Sequence, residues 1–221
     1  HQVTVIVTDH KKAPQQGKNV TVKGDLGQSA AGKTDKNGEL TVPEVEQAKR
    51  HGVYIVGYTD GTFGPSRSMT RSEAAAIFAR LLAEKNGDTI STAANTKFAD
   101  IPAHAWYSGY VKYLSNNGIT YGKSKTIFAP NDAITRAEFT TMAVRFFDVY
   151  GDGDAEIMEQ FSGFNDVSSG YWAAEYIKYA ALHGWINGYG DGSFHADREI
   201  NRAEVVTIVN RLLGREADED Y

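Results

Sequence analysis

Thr135-Arg136-Ala137-Glu138 occurs three times in this chain, with Thr70-Arg71-Ser72-Glu73 before it and Asn201-Arg202-Ala203-Glu204 after it. The arginines stand 65 and 66 residues apart. In each copy a helix-capping residue (Thr70, Thr135, Asn201) precedes a glutamate (Glu73, Glu138, Glu204) by three positions, the capping-box signature of a helix start. The arginine between them is the unexpected choice. It puts a cation in the first turn, where the helix dipole already favours anions. A local rule broken at Arg71, Arg136 and Arg202 alike points to function rather than folding.

Other residues repeat around this stretch. Phe98-Ala99-Asp100 matches Phe164-Asn165-Asp166, and Trp106 matches Trp172 at the same offset. Gly118 matches Gly184, Phe128 matches Phe194, and Arg145 matches Arg211. An earlier copy supplies Gly57-Tyr58-Thr59-Asp60-Gly61-Thr62-Phe63, followed by Arg71 and Arg80 at corresponding offsets. Each unit reads as helix, glycine-rich turn, helix. The first helix begins near Trp106 or Trp172, and Gly118 and Gly184 stand where a C-terminal cap is expected. The second carries an apolar stripe (Ile77, Phe78, Leu81, Leu82 in the first copy), so it packs inward. Two helices cannot bury such a face alone, whereas three repeats together can. The first copy lacks the Phe-x-Asp and the Trp, and Val45 to His51 reads equally as a shortened helix or a linker. The polar stretches 83–97 and 148–163 read as connections.

Upstream of the repeats the period is two. Val3 to Thr8 and Asn19 to Lys23 alternate, and Thr34-Asp35-Lys36-Asn37-Gly38 places an Asn-Gly turn before Glu39 to Pro43, a hairpin signal. Residues 1–50 are thus expected to form a small β-sandwich-like module or a fragment of one. His1 leading straight into a strand pattern suggests a piece of a longer chain.

Composition excludes several functions. A net charge of −5 argues against a general nucleic-acid binder while leaving room for a local basic pocket. With no cysteine there is no disulfide framework, thiolate metal site or cysteine nucleophile. No apolar run approaches the ~20 residues of a membrane span, so membrane insertion is not expected. Asp152, Asp154 and Glu156 invite a calcium reading but lack the EF-hand register, and the histidines show no metal spacing, so neither metal nor cofactor is expected. No phosphate loop, G-x-S-x-G elbow or H-E-x-x-H motif occurs.

The order F-x-D, W, G-[IW], G-Y-x-D-G-x-F, T-R-A-E resembles the S-layer homology (SLH) motif. Gly57 to Phe63, Ile134 to Glu138 and Gly188 to Phe194 carry the likeness best, and it covers about residues 51–214. The resemblance implies a mainly α fold. Three motifs form a pseudo-threefold trimer with a central three-helix bundle and helical lobes, here following a small N-terminal all-β module of immunoglobulin-like or prealbumin-like type. It places a truncated first motif at 51–97, a second at 98–163, a third at 164–214 and an acidic tail at 215–221. It also implies non-catalytic anchoring at the bacterial cell surface to an anionic, pyruvylated secondary cell wall polysaccharide, held in grooves between motifs. Carried over residue by residue, the family's main ligand contact falls on Arg71, Arg136 and Arg202. Ser72 and Asn201 depart mildly from the motif; Tyr121 to Lys125 departs more, lacking the G-Y-x-D-G turn.

Two readings of the arginines stand side by side. One is an anion site built from a guanidinium and a helix N-terminus; the other is a structural ion pair with an upstream acid such as Asp60 or Asp191. Arg80, Arg145 and Arg211, two and a half turns into their helices on another face, read as structural. Glu73, Glu138 and Glu204 read as caps. Trp106 and Trp172 open an apolar stripe and are expected in core or lobe packing, with sugar stacking as the alternative. Tyr58 and Tyr189 are candidates for lining a groove, and Gly118 and Gly184 join the candidate ligand set. Gly57, Gly61, Gly188 and Gly192 are expected at turns needing positive φ. A structural module that self-associates in a surface layer through protein contacts is the competing function. A glycosidase would need its carboxylate pair outside these residues.

Overall fold

The computed structural model describes residues 3–6, 16–17, 19–23, 29–37, 39–42, 53–150 and 161–215. Its contacts divide the chain into two units, with the boundary between His51 and Gly52. The Val45 to His51 stretch and the acidic run at 152–156 lie outside the described residues.

In the first unit β1 (Val3–Ile6) pairs antiparallel with β4 (Glu39–Val42), and β2 (Asn19–Lys23) with β3 (Ser29–Lys33). A turn forms around Asp35 to Asn37, and among the described residues no ladder joins β3 to β4 across it. Asp35 Oδ1 accepts from Asn37 N at 2.8 Å and Glu39 N at 2.9 Å, an Asx turn that takes the amide a second rung would use. Asp35 N still reaches Glu39 O at 2.9 Å, and beyond that rung β4 turns to β1.

The second unit is helical: α1 (Arg71–Asn86), α2 (Ser108–Asn116), α3 (Arg136–Tyr150), α4 (Ala174–Leu182) and α5 (Arg202–Leu212). Capping boxes start α1 and α5 at Thr70 and Asn201. At α3, Thr135 Oγ1 accepts from Glu138 N at 3.2 Å while Glu138 takes Thr135 N at 3.1 Å. Helices α1 and α3 run into stretches expected to be connections. Ala83-Glu84-Lys85-Asn86 is good helix-forming sequence, and α1 stops only where Gly87 adopts φ 70°. After α2 and α4, Gly118 (φ 74°) and Gly184 (φ 68°) close the helix ends, with Ile119 N on Leu114 O and Trp185 N on Ala180 O, both at 3.0 Å.

Helix α3 packs against α1, α4 and α5, and α1 against α2. Phe78 lies 5.2 Å from Phe139 and 5.0 Å from Phe146, and all three rings are fully buried. Just ahead of α1, α3 and α5 the backbone closes a triangle. Met69 N donates to Ile200 O at 3.0 Å, Ile200 N to Ile134 O at 3.0 Å, and Ile134 N to Met69 O at 2.9 Å. The next amides close a second cycle in the opposite sense: Arg71 N to Asp132 O, Arg136 N to Arg198 O and Arg202 N to Arg67 O, at 2.9, 2.8 and 3.0 Å. First-turn N–H groups have no partner within their own helix, so each helix start is satisfied by the segment leading into another.

The Phe-x-Asp aspartates tie the lobes to this ring. Asp100 accepts from Phe128 N (2.9 Å) and Ala129 N (2.7 Å), and Asp166 from Phe194 N and His195 N, both at 2.7 Å. Ala129 and His195 sit at φ 58° and 54°, a left-handed conformation that aligns successive amides on an anion. The first copy has Gly64 there, at φ 62°, and no matching aspartate. The aspartate therefore goes with a residue that needs help to hold this backbone. Substituting Asp166→Ala should lower unfolding free energy by about 2–3 kcal/mol in urea titrations, and His195→Gly in the same chain should recover about 1 kcal/mol. An unchanged midpoint for Asp166→Ala would contradict this account.

Candidate binding grooves

Arg71, Arg136 and Arg202 are 4%, 5% and 2% exposed. Each leans across to the turn before another copy's helix and donates Nε to a phenylalanine carbonyl there: Arg71 to Phe128 O (2.8 Å), Arg136 to Phe194 O (2.9 Å), Arg202 to Phe63 O (2.9 Å). Each then faces the capping glutamate of another copy. Arg71 Nη1 lies 3.1 Å from Glu138 Oε1, Arg136 Nη1 2.8 Å from Glu204 Oε1, and Arg202 Nη1 3.7 Å from Glu73 Oε1. Of the remaining nitrogens, Arg136 Nη2 donates to Asn187 O (3.2 Å) and Arg202 Nη2 to Val56 O (2.6 Å).

Asp60 and Asp191 are not their partners. Asp60 accepts from Thr62 N and Oγ1, and Asp191 from Ser193 N and Oγ, because each carboxylate closes its own tight turn. The glutamates thus do more than cap. One oxygen holds the cap amide while the other meets an arginine, which answers the cation placed against the dipole.

Burial pulls Arg136 below the usual arginine value, against the opposing charge of Glu204. Burial pushes Glu138 up, but Arg71, with Lys123 and the Thr135 amide, outweighs it and holds the carboxyl below the usual glutamate range.

Two of these pairs floor cavities. One, of about 190 Å³, is lined by Tyr58, Glu73, Arg80, Trp106 and Arg202, among others. Another, of about 230 Å³, is lined by Arg136, Asn187, Tyr189, Glu204 and Arg211, with Trp185 beside them. Arg80 and Arg211 were expected to be structural, away from the capping arginines. Nine residues do put the two arginines of one helix on opposite sides, but each then joins the capping arginine of another copy: Arg80 with Arg202, Arg211 with Arg136. The pairing was invisible within a single repeat.

Tyr58 and Tyr189 lie at these cavities. Arg67 stands 4.0 Å and Arg202 4.8 Å from the Tyr58 ring, and Tyr189 Oη donates to Glu204 Oε1 at 3.2 Å. Where the second copy departs from the motif, Lys123 replaces the tyrosine and its Nζ lies 3.0 Å from Glu138 Oε1. Glu138 and Glu204 thus each meet two cations, Lys123 joining Arg71 at the first and Arg198 joining Arg136 at the second, whereas Glu73 faces Arg202.

Trp106 and Trp172 are 54% and 56% exposed, so of the expected core or lobe packing neither indole is in the core, while both rest on tyrosines of their lobes. Helices α2 and α4 begin two residues after them, leaving both indoles on the preceding turn; Trp106 packs edge-on to Tyr107 and Tyr110. Gly118 and Gly184 sit at helix ends and line neither cavity. Gly61 and Gly192 take positive φ, but Gly57 and Gly188 do not. Gly188 is instead required by close approach: a Cβ there would lie 2.5 Å from Phe164 Cε1.

Asp166, His195 and Ser193 resemble a hydrolytic relay at first sight. His195 Nε2 lies 3.0 Å from Ser193 Oγ, and Nδ1 3.7 Å from Asp166 Oδ2. The arrangement is not a nucleophile site: buried Ser193 Oγ donates to Asp191 at 2.6 Å, and Asp166 is committed to two backbone amides.

The model of the S-layer homology domain matches residues 38–75, 97–140 and 163–206, which contain the three helix starts. This chain belongs to the S-layer homology family. The cellulosome-anchoring protein of Acetivibrio thermocellus is 31% identical over 189 residues, covering 85% of this chain and 41% of that protein. Cell surface glycoprotein 1 of the same organism is 36% identical over 173 residues, covering 75% of this chain and 7% of that protein. The surface-layer 125 kDa protein of Lysinibacillus sphaericus is 32% identical over 163 residues, covering 72% and 13%. The SLH chain thus spans less than half the length of each. Among its described residues no helix is long and apolar enough to cross a membrane.

Breaking one link of the SLH ring should be expensive. Glu138→Ala leaves Arg71 buried without its carboxylate and should lose about 3–5 kcal/mol of stability in chemical denaturation. Because the Glu138 pKa is depressed on folding, its contribution is present above the ordinary value of 4.5 and lost as pH falls through the folded value. Melting temperature should therefore drop less steeply on acidification in Glu138→Gln than in the parent; parallel curves would contradict the assignment.

Proposed function

We propose that this chain is a non-catalytic anchoring module that holds a longer exported protein at the bacterial cell surface. It does so by binding an anionic, pyruvylated secondary cell wall polysaccharide in the grooves between its motifs. The observation that carries the reading is electrostatic: in a chain of net charge −5, Glu138 and Glu204 each meet two cations, and buried Arg136 and Arg202 floor cavities that Arg211 and Arg80 also line. A locally positive, partly enclosed cleft on an acidic protein favours one anionic sugar over polyanions in general.

In this reading the ring of helix starts is the pseudo-threefold trimer, with α1, α3 and α5 as its central bundle. Arg71, Arg136 and Arg202 supply its positive floor, with Tyr58, Tyr189, Trp106 and Trp172 as groove walls. Residues 1–50 are the end of a stalk or a preceding module, followed by motifs at 51–97, 98–163 and 164–214. Relatives named for anchoring and for the cell surface support the assignment. A relative named as a surface-layer protein, together with arginines already engaged within the fold, favours the second reading of self-assembly through protein contacts.

Cosedimentation with purified Gram-positive walls separates the two. Binding is expected to walls that retain the secondary polymer, to vanish once the polymer is extracted, and to weaken with added salt. Equal binding to stripped walls would contradict the proposal, as would concentration-dependent oligomers without wall binding.

A further inference from the structure

We infer that Tyr54 and Asn210 form a latch that holds the first copy in the ring against a pull from the residues before it, at the one junction where neighbouring copies are not consecutive in the chain. The chain after Asn86 joins the first copy to the second, and the chain after Tyr150 joins the second to the third. The third and first copies meet only through non-covalent bonds. Met69 N reaches Ile200 O, Arg202 N reaches Arg67 O and Ala203 N reaches Pro65 O, all at 3.0 Å.

Two residues set this junction apart. Three positions before the turn glycines Gly57, Gly122 and Gly188 stand Tyr54, Ile119 and Trp185, all buried. Eight positions after the capping arginines stand Ala79, Val144 and Asn210. Ala79 and Val144 are buried and apolar, whereas Asn210 brings an amide to α5. Tyr54 Oη donates to Asn210 Oδ1 at 3.0 Å, across 156 residues of chain. The first copy alone has a hydroxyl at the one position and the third alone an acceptor at the other, so this bond can form at no other junction.

The latch is braced on both sides. Arg80 of α1 donates Nη1 to Tyr54 O at 3.2 Å. Past the left-handed turn at Gly214 (φ 62°), Arg215 N donates to Asn210 O at 2.8 Å, and its guanidinium lies 5.3 Å from the Tyr54 ring. A cation is favoured both beyond the C-terminal end of α5 and over a phenol face. The residues around Tyr54 grip less: Val53 is 73% exposed and Val56 57%. A pull on the residues before Gly52 is therefore met first at Tyr54, and Arg215, just past the last helix, stands beside it.

A ring closed at three junctions can open at one of them while the others hold. Removing one partner of a buried hydrogen bond leaves the other to bear its full desolvation, so a single bond can decide which junction opens first.

Native-state hydrogen exchange on Tyr54→Phe and Asn210→Val tests this at amides that cross different junctions. Met69 and Arg202 bond between the third and first copies, Arg71 and Ile134 between the first and second, Arg136 and Ile200 between the second and third. In either variant, exchange at Met69 and Arg202 should accelerate roughly 10-fold beyond any change at the other four. Asn210→Asp keeps an acceptor for the hydroxyl and should retain the parent pattern. Equal acceleration at all six amides would overturn the inference, because it marks lost overall stability without opening at one junction. Unchanged exchange in both variants, or Asn210→Asp behaving like Asn210→Val, would overturn it too.

Stretching single molecules between His1 and Tyr221 reads the mechanical consequence. The helical unit of the parent should give way in one step, whereas Tyr54→Phe should release the first copy earlier and at lower force. Identical rupture forces would contradict the latch. Neither measurement involves wall polymer, so its failure leaves the anchoring proposal untouched.

Discussion

Everything in the helical unit depends on how three helix starts satisfy one another. A helix N-terminus exposes amides that must find acceptors, and a buried start without them is costly. Here the acceptors are carbonyls of the segment leading into another copy, and the bonds among Met69, Ile134 and Ile200 close on themselves. The arginine-to-glutamate contacts close a second cycle one layer out, in the opposite sense, from α1 to α3 to α5 and back to α1. A glutamate that caps its own helix and receives another copy's arginine makes each local helix start conditional on the assembly of three. One motif alone would leave amides, an arginine and an apolar stripe exposed.

That closure also shapes the grooves. Because each capping arginine leans across to another copy, its charge is set at a junction, at fixed height, before any ligand arrives. Pre-organised charge in a partly enclosed cleft loses little on binding, which is how a small cavity can be selective. At each of these cavities the capping arginine is joined by an arginine from another copy's helix, Arg80 beside Arg202 and Arg211 beside Arg136. Floor and wall are thus different residues, drawn from different repeats.

Much of this was legible in the residues. The capping boxes, the helix ends at Gly118 and Gly184 and the family itself could be read from spacing, because each depends on residues close in sequence. The arginine partners could not be. Glu138 lies 67 residues from Arg71, and its capping role was already a sufficient local explanation. Asp100 and Asp166 stood out only as matching repeat positions, although their carboxylates close on amides 28 and 29 residues away. Trp106 and Trp172 misled for the opposite reason: the apolar period includes them, but their helices start two residues later. Pairwise cycles between repeats and the start of a helix are tertiary facts, and periodicity within a repeat does not encode them.

Native-state hydrogen exchange at the Met69, Ile134 and Ile200 amides tests the closed ring most directly. If the three helix starts stand or fall together, these amides exchange only through global unfolding, with one common opening free energy equal to that from denaturant unfolding of the helical unit. Graded protection, with Ile200 or Met69 opening well below the global value while Ile134 stays protected, would mean that the motifs fold separately and the ring does not hold them.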